Sequence, residues 1–202
     1  MKIGIYGGTF DPVHCGHLAV ARAARDARSL DRVVLVPVGR PPHKTRGLAP
    51  DEDRIEMLRL AVGGEDRLEP SDVEIRREGV SYTVDTLTEF SETYPGDELF
   101  FILGEDSLPE MASWKDLVRI FTLARILVVN RPGYTRVLRP EHFPGVPLHL
   151  VERAERDRVT MAPCSVSSTG LRQAIRAGES LDGMVPQEVA RYLEVKSLYR
   201  EC

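Results

Sequence analysis

Three runs in the chain, Arg32-Val33-Val34-Leu35-Val36-Pro37-Val38, Leu99-Phe100-Phe101-Ile102-Leu103-Gly104 and Arg125-Ile126-Leu127-Val128-Val129-Asn130, have apolar interiors with no polar side. A strand of that kind must be covered on both faces, which is the condition of strands in a parallel sheet. The run Lys2-Ile3-Gly4-Ile5-Tyr6 reads as a fourth such strand, and Leu18-Ala19-Val20-Ala21-Arg22-Ala23-Ala24 behind it reads as a helix. Strands alternating with helix-length segments over short connections predict an α/β architecture: an open, mostly parallel sheet with helices on both faces.

The remaining segments fill in that frame. Pro50-Asp51-Glu52-Asp53 opens a helix with acid in its first turn, and Ile55, Leu58 and Val62 form its apolar stripe. Residues 68–75 read as extended. A helix begins at Tyr82 and ends before Pro95-Gly96, and another is predicted over residues 114–124. Residues 136–147 carry three prolines and read as a surface excursion. Leu148-His149-Leu150-Val151 and Val159-Thr160-Met161 read as short strands. Two last helices are predicted, one ending near Gly178 and one over residues 186–195. The 202 residues, 42% of them hydrophobic, suffice for a single domain over 1–202 whose part from about 165 is a small helical C-terminal portion.

Composition excludes several classes. A net charge of −4 with both signs interspersed argues against a nucleic-acid partner that needs a broad basic surface. Cys15, Cys164 and Cys202 have no metal-ligand spacing and suggest neither a disulfide framework nor a zinc site. With no charged-then-apolar leader and no apolar run of about 18 residues, a cytoplasmic protein without a membrane partner is expected. A homo-oligomer is left open.

The chemistry concentrates in Gly7-Gly8-Thr9-Phe10-Asp11-Pro12-Val13-His14-Cys15-Gly16-His17, between the first strand and the first helix. Glycines at a strand end let backbone N–H groups approach an anion, and the following helix points its positive end at the same place. Histidines at i and i+3 stand on one side of a helical turn, able to donate to one phosphate chain. The turn lacks the Gly-x-Gly-x-x-Gly pattern of dinucleotide folds. A second constellation, Ser167-Ser168-Thr169-Gly170-Leu171-Arg172, is at the least a capped helix start. Its hydroxyls and guanidinium also make a second anion cradle.

Gly-Thr-Phe-x-Pro-x-His-x-Gly-His resembles the signature of the nucleotidyltransferases with a His-x-Gly-His motif, relatives of class I aminoacyl-tRNA synthetases, and Ser-Ser-Thr-x-x-Arg resembles their second signature. Pro41-Pro42-His43-Lys44, Ser81-Tyr82-Thr83-Val84-Asp85-Thr86, Gly104-Glu105-Asp106-Ser107-Leu108 before Trp114, Arg131-Pro132-Gly133 and Leu198-Tyr199 are similar to the bacterial nicotinate-nucleotide adenylyltransferases, and this likeness covers essentially the whole chain. The departure is Gly170, a poor helix former inside the second motif.

The resemblance implies a Rossmann-like nucleotidyltransferase fold and adenylyl transfer from ATP to nicotinate mononucleotide. It implies catalytic roles for His14, His17 and Arg172, and ATP contacts from Gly7, Gly8, Thr9, Phe10, Gly104, Asp106, Arg131, Ser168 and Thr169. Lys44, Tyr82, Thr83 and Trp114 would bind the mononucleotide. Mg²⁺ would ride on the ATP phosphates, with no protein ligand expected. The competing expectations are a related enzyme such as a pantetheine-phosphate adenylyltransferase, and a non-catalytic nucleotide sensor.

Overall fold

The computed structural model describes residues 1–42, 47–130 and 137–200. Among these, six strands form one sheet: β1 (Lys2–Gly8), β2 (Arg32–Pro37), β3 (Leu68–Pro70), β4 (Glu98–Gly104), β5 (Arg125–Asn130) and β6 (Val159–Thr160). Their order is β3-β2-β1-β4-β5-β6 and every neighbouring pair is parallel. The helices are α1 (Cys15–Arg28), α2 (Asp51–Val62), α3 (Val73–Arg76), α4 (Thr83–Thr93), α5 (Leu108–Met111), α6 (Leu117–Leu123), α7 (Leu148–Arg156), α8 (Ser168–Ala177) and α9 (Gln187–Val195).

Because side chains alternate across a strand, the apolar runs feed two cores at once. Tyr6, Val33, Leu35, Phe100, Ile102, Leu127 and Val129 meet α1, α2, α8 and α9 on one face. Ile5, Val34, Val36, Phe101, Leu103, Ile126 and Val128 meet α4, α6 and α7 on the other. The chain leaves β1 toward β2 over the first face and leaves β4 toward β5 over the second. The two courses diverge between β1 and β4, so a crevice opens beyond the carboxyl ends of those strands.

Four expectations are corrected. Leu148 to Val151 is not a strand but the first turn of α7. Val151 and Ala154, one helical turn apart, are buried while Leu148 stays 56% exposed, and Arg153 and Arg156 complement the negative helix end. Residues 68–75 are extended only as far as Pro70, after which Val73 turns inward on the short α3. The helix predicted from Trp114 starts at Leu117, because Asp116 adopts a left-handed conformation and caps it, accepting from the Arg119 amide at 3.3 Å. Finally, residues 137–147 are less superficial than their prolines suggest, since Leu138, Phe143 and Val146 are buried in the second core.

Candidate active site

The turn after β1 is built on aromatic packing. Phe10, a bulky residue at φ 46° and fully buried, lies 5.5 Å edge-on from Tyr6 and 4.9 Å from the His17 ring. His14 is the N-cap of α1 and His17 its third residue. Each closes on the other: the His17 amide donates to His14 Nδ1 at 3.3 Å and the His14 amide to His17 Nδ1 at 3.2 Å. The sequence placed the two imidazoles side by side on a first turn, and the structure stacks them with centroids 3.7 Å apart and planes 23° from parallel. A neutral imidazole that accepts at Nδ1 carries its proton on Nε2, so the mutual cap selects the tautomer that donates through Nε2.

The second motif is fastened directly to this turn. Ser167 caps α8, its Oγ accepting from the Gly170 amide at 3.2 Å, so Gly170 receives the cap without contributing a side chain. Ser168 Oγ donates to the Pro12 carbonyl at 3.0 Å across 156 residues. Arg172 Nη1 donates to the Asp11 carbonyl at 2.6 Å and Nη2 to Thr169 Oγ1 at 3.3 Å.

A cavity of about 940 Å³ opens over the β1/β4 divide. Gly7, Gly8, Thr9, His14, His17 and Ser168 line it on the phosphate-motif side, Gly104 and Asp106 at the end of β4, and Tyr82, Thr83 and Trp114 on the far side. The structure therefore brings together eleven of the residues singled out in the sequence. Phe10 is fully buried against the His17 ring and is not among the residues that line the cavity. Thr169 and Arg172, on α8 with Ser168, are not among the lining residues. Lys44 and Arg131 lie outside the described residues.

At the far side, α4 begins at Thr83 with Tyr82 as N-cap, and no side chain caps its first amides. This differs from a capping threonine, because Thr83 is the first helical residue. Trp114 is half-buried, 5.8 Å and edge-on from Phe101, so it joins the second core while also facing the cavity. Lys115 sits 4.5 Å above the Tyr82 ring and 3.1 Å from Asp85. Near β4, the Asp106 carboxylate folds back over Gly104, where a side chain would collide with it.

Three residues that position the site were missed in the sequence. Arg54 is fully buried and donates to the carbonyls of Thr9 (2.9 Å), Val38 (2.6 Å) and Ala49 (3.2 Å). Asp11 is 2% exposed and accepts at Oδ1 from the Ala49 amide (2.9 Å) and the Tyr199 hydroxyl (2.6 Å). Burial, followed by that bond, holds the Tyr199 hydroxyl far above the ordinary tyrosine range. Glu74 lines the cavity at 8% exposure and accepts from Thr86 Oγ1 at 2.6 Å; burial pushes its carboxyl up despite this bond and the nearby Arg77. Glu74 had a sequence signal as an acid flanked by Val73 and Ile75, and Asp11 stands inside the Gly7 to His17 string; Arg54 had none. Burial also raises the Cys15 thiol, with Cys164 adding to it.

A parallel sheet whose connections diverge at β1/β4, with a His-x-Gly-His turn joined to a serine-capped helix over one cavity, is the arrangement of a nucleotidyltransferase. The family model described as cytidylyltransferase-like matches residues 5–174. Two curated relatives bear the name probable nicotinate-nucleotide adenylyltransferase. One, from Thermus thermophilus, is 42% identical over 99% of this chain and 100% of its own length. The other, from Desulfitobacterium hafniense, is 38% identical over 98% of this chain and 96% of its own length. The chain belongs to the nicotinate-nucleotide adenylyltransferase family within the cytidylyltransferase-like proteins. In fold it is similar to the solved Plasmodium falciparum nicotinic acid mononucleotide adenylyltransferase complexed with NaAD, with a TM-score of 0.75 at 16% identity over 98% of this chain and 97% of that one. No helix among the described residues is long and apolar enough to cross a membrane.

Proposed function

We propose that the protein transfers the adenylyl group of ATP to nicotinate mononucleotide, forming nicotinate adenine dinucleotide and releasing pyrophosphate. The observation that carries this reading is the bonding of the two signature motifs to each other, Ser168 to Pro12 and Arg172 to Asp11, at one side of a cavity whose other side is Tyr82, Thr83 and Trp114.

In the reaction, an oxygen of the acceptor's 5′-phosphate attacks the α-phosphorus of ATP, and the bond from that phosphorus to the β-phosphate bridging oxygen breaks. The attacking phosphate is already ionised, so no protein base is needed, and catalysis reduces to alignment and charge stabilisation. His14 and His17 donate through Nε2 to the phosphate chain. The amides of Gly8 and Thr9 and the α1 N-terminus add positive potential there. Ser168, Thr169 and Arg172 hold the β/γ end. Asp106 binds a ribose hydroxyl at the end of β4. The first amides of α4 at Thr83 receive the pyridine carboxylate, and Trp114 stacks on the pyridine ring. Lys44 and Arg131 are assigned to the acceptor and to ATP from their sequence motifs.

Magnesium enters as an ion carried by the triphosphate. It would be held mainly by phosphate oxygens and water, as Mg²⁺ commonly is. Bound there, it neutralises phosphate charge. The chain acts as one domain, with α8 and α9 packed into the first core.

Pyrophosphate release from ATP, measured with nicotinate mononucleotide, its amide counterpart and 4′-phosphopantetheine as acceptors, tests this. Release with the acid mononucleotide is expected. Release only with phosphopantetheine, or with none of the three, refutes the assignment.

A further inference from the structure

Asp11 is where three distant parts of the chain meet. One oxygen, Oδ1, is occupied by the Ala49 amide at 2.9 Å and the Tyr199 hydroxyl at 2.6 Å. The other, Oδ2, stands 3.6 Å from Nη1 of Arg172, which donates to the Asp11 carbonyl at 2.6 Å. Tyr199 reaches this point through an unusual backbone course. The chain leaves α9 with Ser197 at φ 51° and Tyr199 at φ 63°, left-handed conformations that cost a side-chain-bearing residue energy and persist only when surrounding contacts impose them. Leu198 and Tyr199 both pack on the first core, which turns the tyrosine inward.

Charge gives the hydroxyl its consequence. A buried carboxylate beside a guanidinium tends to close on it as a bidentate pair, the strongest geometry open to both. Here Oδ1 already carries two donors, and Arg172, bonded to the Asp11 main-chain carbonyl, keeps only a long contact with the carboxylate, at Oδ2. We propose that Tyr199 is a positioning residue for Arg172: by occupying Asp11 it keeps the guanidinium from being captured, so that Arg172 remains available to the β/γ-phosphates of ATP at the start of α8. The inference rests on the adenylyl-transfer reading. Its effect belongs to ATP and not to the acceptor, because the bonds of the Asp11 cluster run to Ala49, Arg172 and Tyr199 and none of them reaches the Tyr82 to Trp114 side of the cavity.

A kinetic cycle over wild type, Tyr199→Phe, Arg172→Ala and the double variant tests this, since Tyr199→Phe keeps the ring and its packing and removes only the donor. Tyr199→Phe is expected to raise the KM for ATP about tenfold, the scale of one lost hydrogen bond to a charged group. The acceptor KM should stay unchanged, and the substitution should have no further effect once Arg172 is alanine. An unchanged ATP KM, or equal losses in both Arg172 backgrounds, overturns the proposal. Tyr192→Phe is the control, because Tyr192 donates to Asp53 at 2.7 Å between α9 and α2, away from Asp11. It should lower Tm without moving the ATP KM, and an equal rise in KM would make tail packing the cause and refute the role of Tyr199. Calorimetric binding of a non-hydrolysable ATP analogue to the same variants separates the two readings. Wild type that binds the analogue but releases no pyrophosphate would sink the adenylyl transfer. Wild type that turns over while Tyr199→Phe binds the analogue normally would sink only the positioning role.

Discussion

Replacing Arg54 by methionine should cost more stability than a change anywhere on the surface of this protein. The side chain is fully buried and its guanidinium bridges the carbonyls of Thr9, Val38 and Ala49, fastening the phosphate turn, the exit of β2 and the chain entering α2 to one another. It also pairs with Asp51, but that carboxylate is 48% exposed and contributes little once solvent screening is counted. The three carbonyls decide the magnitude. Each left without a donor in a buried setting costs about 1–3 kcal/mol, and the guanidinium's own desolvation penalty disappears with it, so a net loss of about 3–5 kcal/mol is expected. For a chain of this length that corresponds to a fall in Tm of roughly 6–20 °C. Because one of the freed carbonyls is that of Thr9, whatever variant folds should also turn over slowly. Arg54→Lys should rescue little, since a single ammonium cannot span the fork that three carbonyls require. Differential scanning calorimetry with steady-state kinetics checks both halves. A fall in Tm under about 2 °C with normal turnover, within the range of neutral surface changes, would show that the guanidinium is not what holds the turn.

His14→Ala and His17→Ala should each slow single-turnover adenylyl transfer by about 100-fold to 1000-fold, the scale of a lost donor to transition-state charge; rates within about threefold of wild type would remove both from the phosphate clamp. Trp114→Ala should raise the acceptor KM by about 2-fold to 10-fold through loss of stacking while leaving that of ATP unchanged, and Trp114→Phe should recover part of it. Unchanged acceptor kinetics with a lowered Tm would assign the indole wholly to the core. Glu74, whose carboxyl burial raises above its unfolded value, takes up a proton on folding. Its contribution to stability is therefore greatest at low pH and declines as pH climbs from about 4.5 through the raised folded value. In Tm measured against pH, Glu74→Gln should flatten that decline, and superimposable slopes would contradict the burial argument.

What the sequence disclosed and what it hid follow from the range of the interactions involved. β1, β2, β4 and β5 were legible because a strand buried on both faces needs an apolar residue at every position, a pattern few other structures demand. The same reasoning failed at Leu148 to Val151, where four residues are too few to distinguish a period of 2 from one of 3.6. The helix and its register became visible only through Val151 and Ala154. The placement of the His-x-Gly-His turn and the serine-capped helix could be read because each is local. Their junction could not, since the Ser168 to Pro12 and Arg172 to Asp11 bonds span 156 and 161 residues. Arg54 was obscured differently: set among Asp51, Glu52 and Asp53 it resembles an exposed helix charge, and nothing nearby in the chain announces three carbonyls awaiting it.

The division of the interior into two cores by the sheet has a consequence for how such a protein can diverge. The histidines and Ser168 ride on α1 and α8, anchored in one core, whereas Tyr82, Thr83 and Trp114 are carried by segments anchored in the other. Substitutions that reshape the acceptor pocket are therefore absorbed by packing on the second face, with β1 and β4 standing between them and the phosphate-binding turn. A lineage could try new acceptors by accumulating changes in one layer while the other, and the donor nucleotide it grips, passed through unaltered.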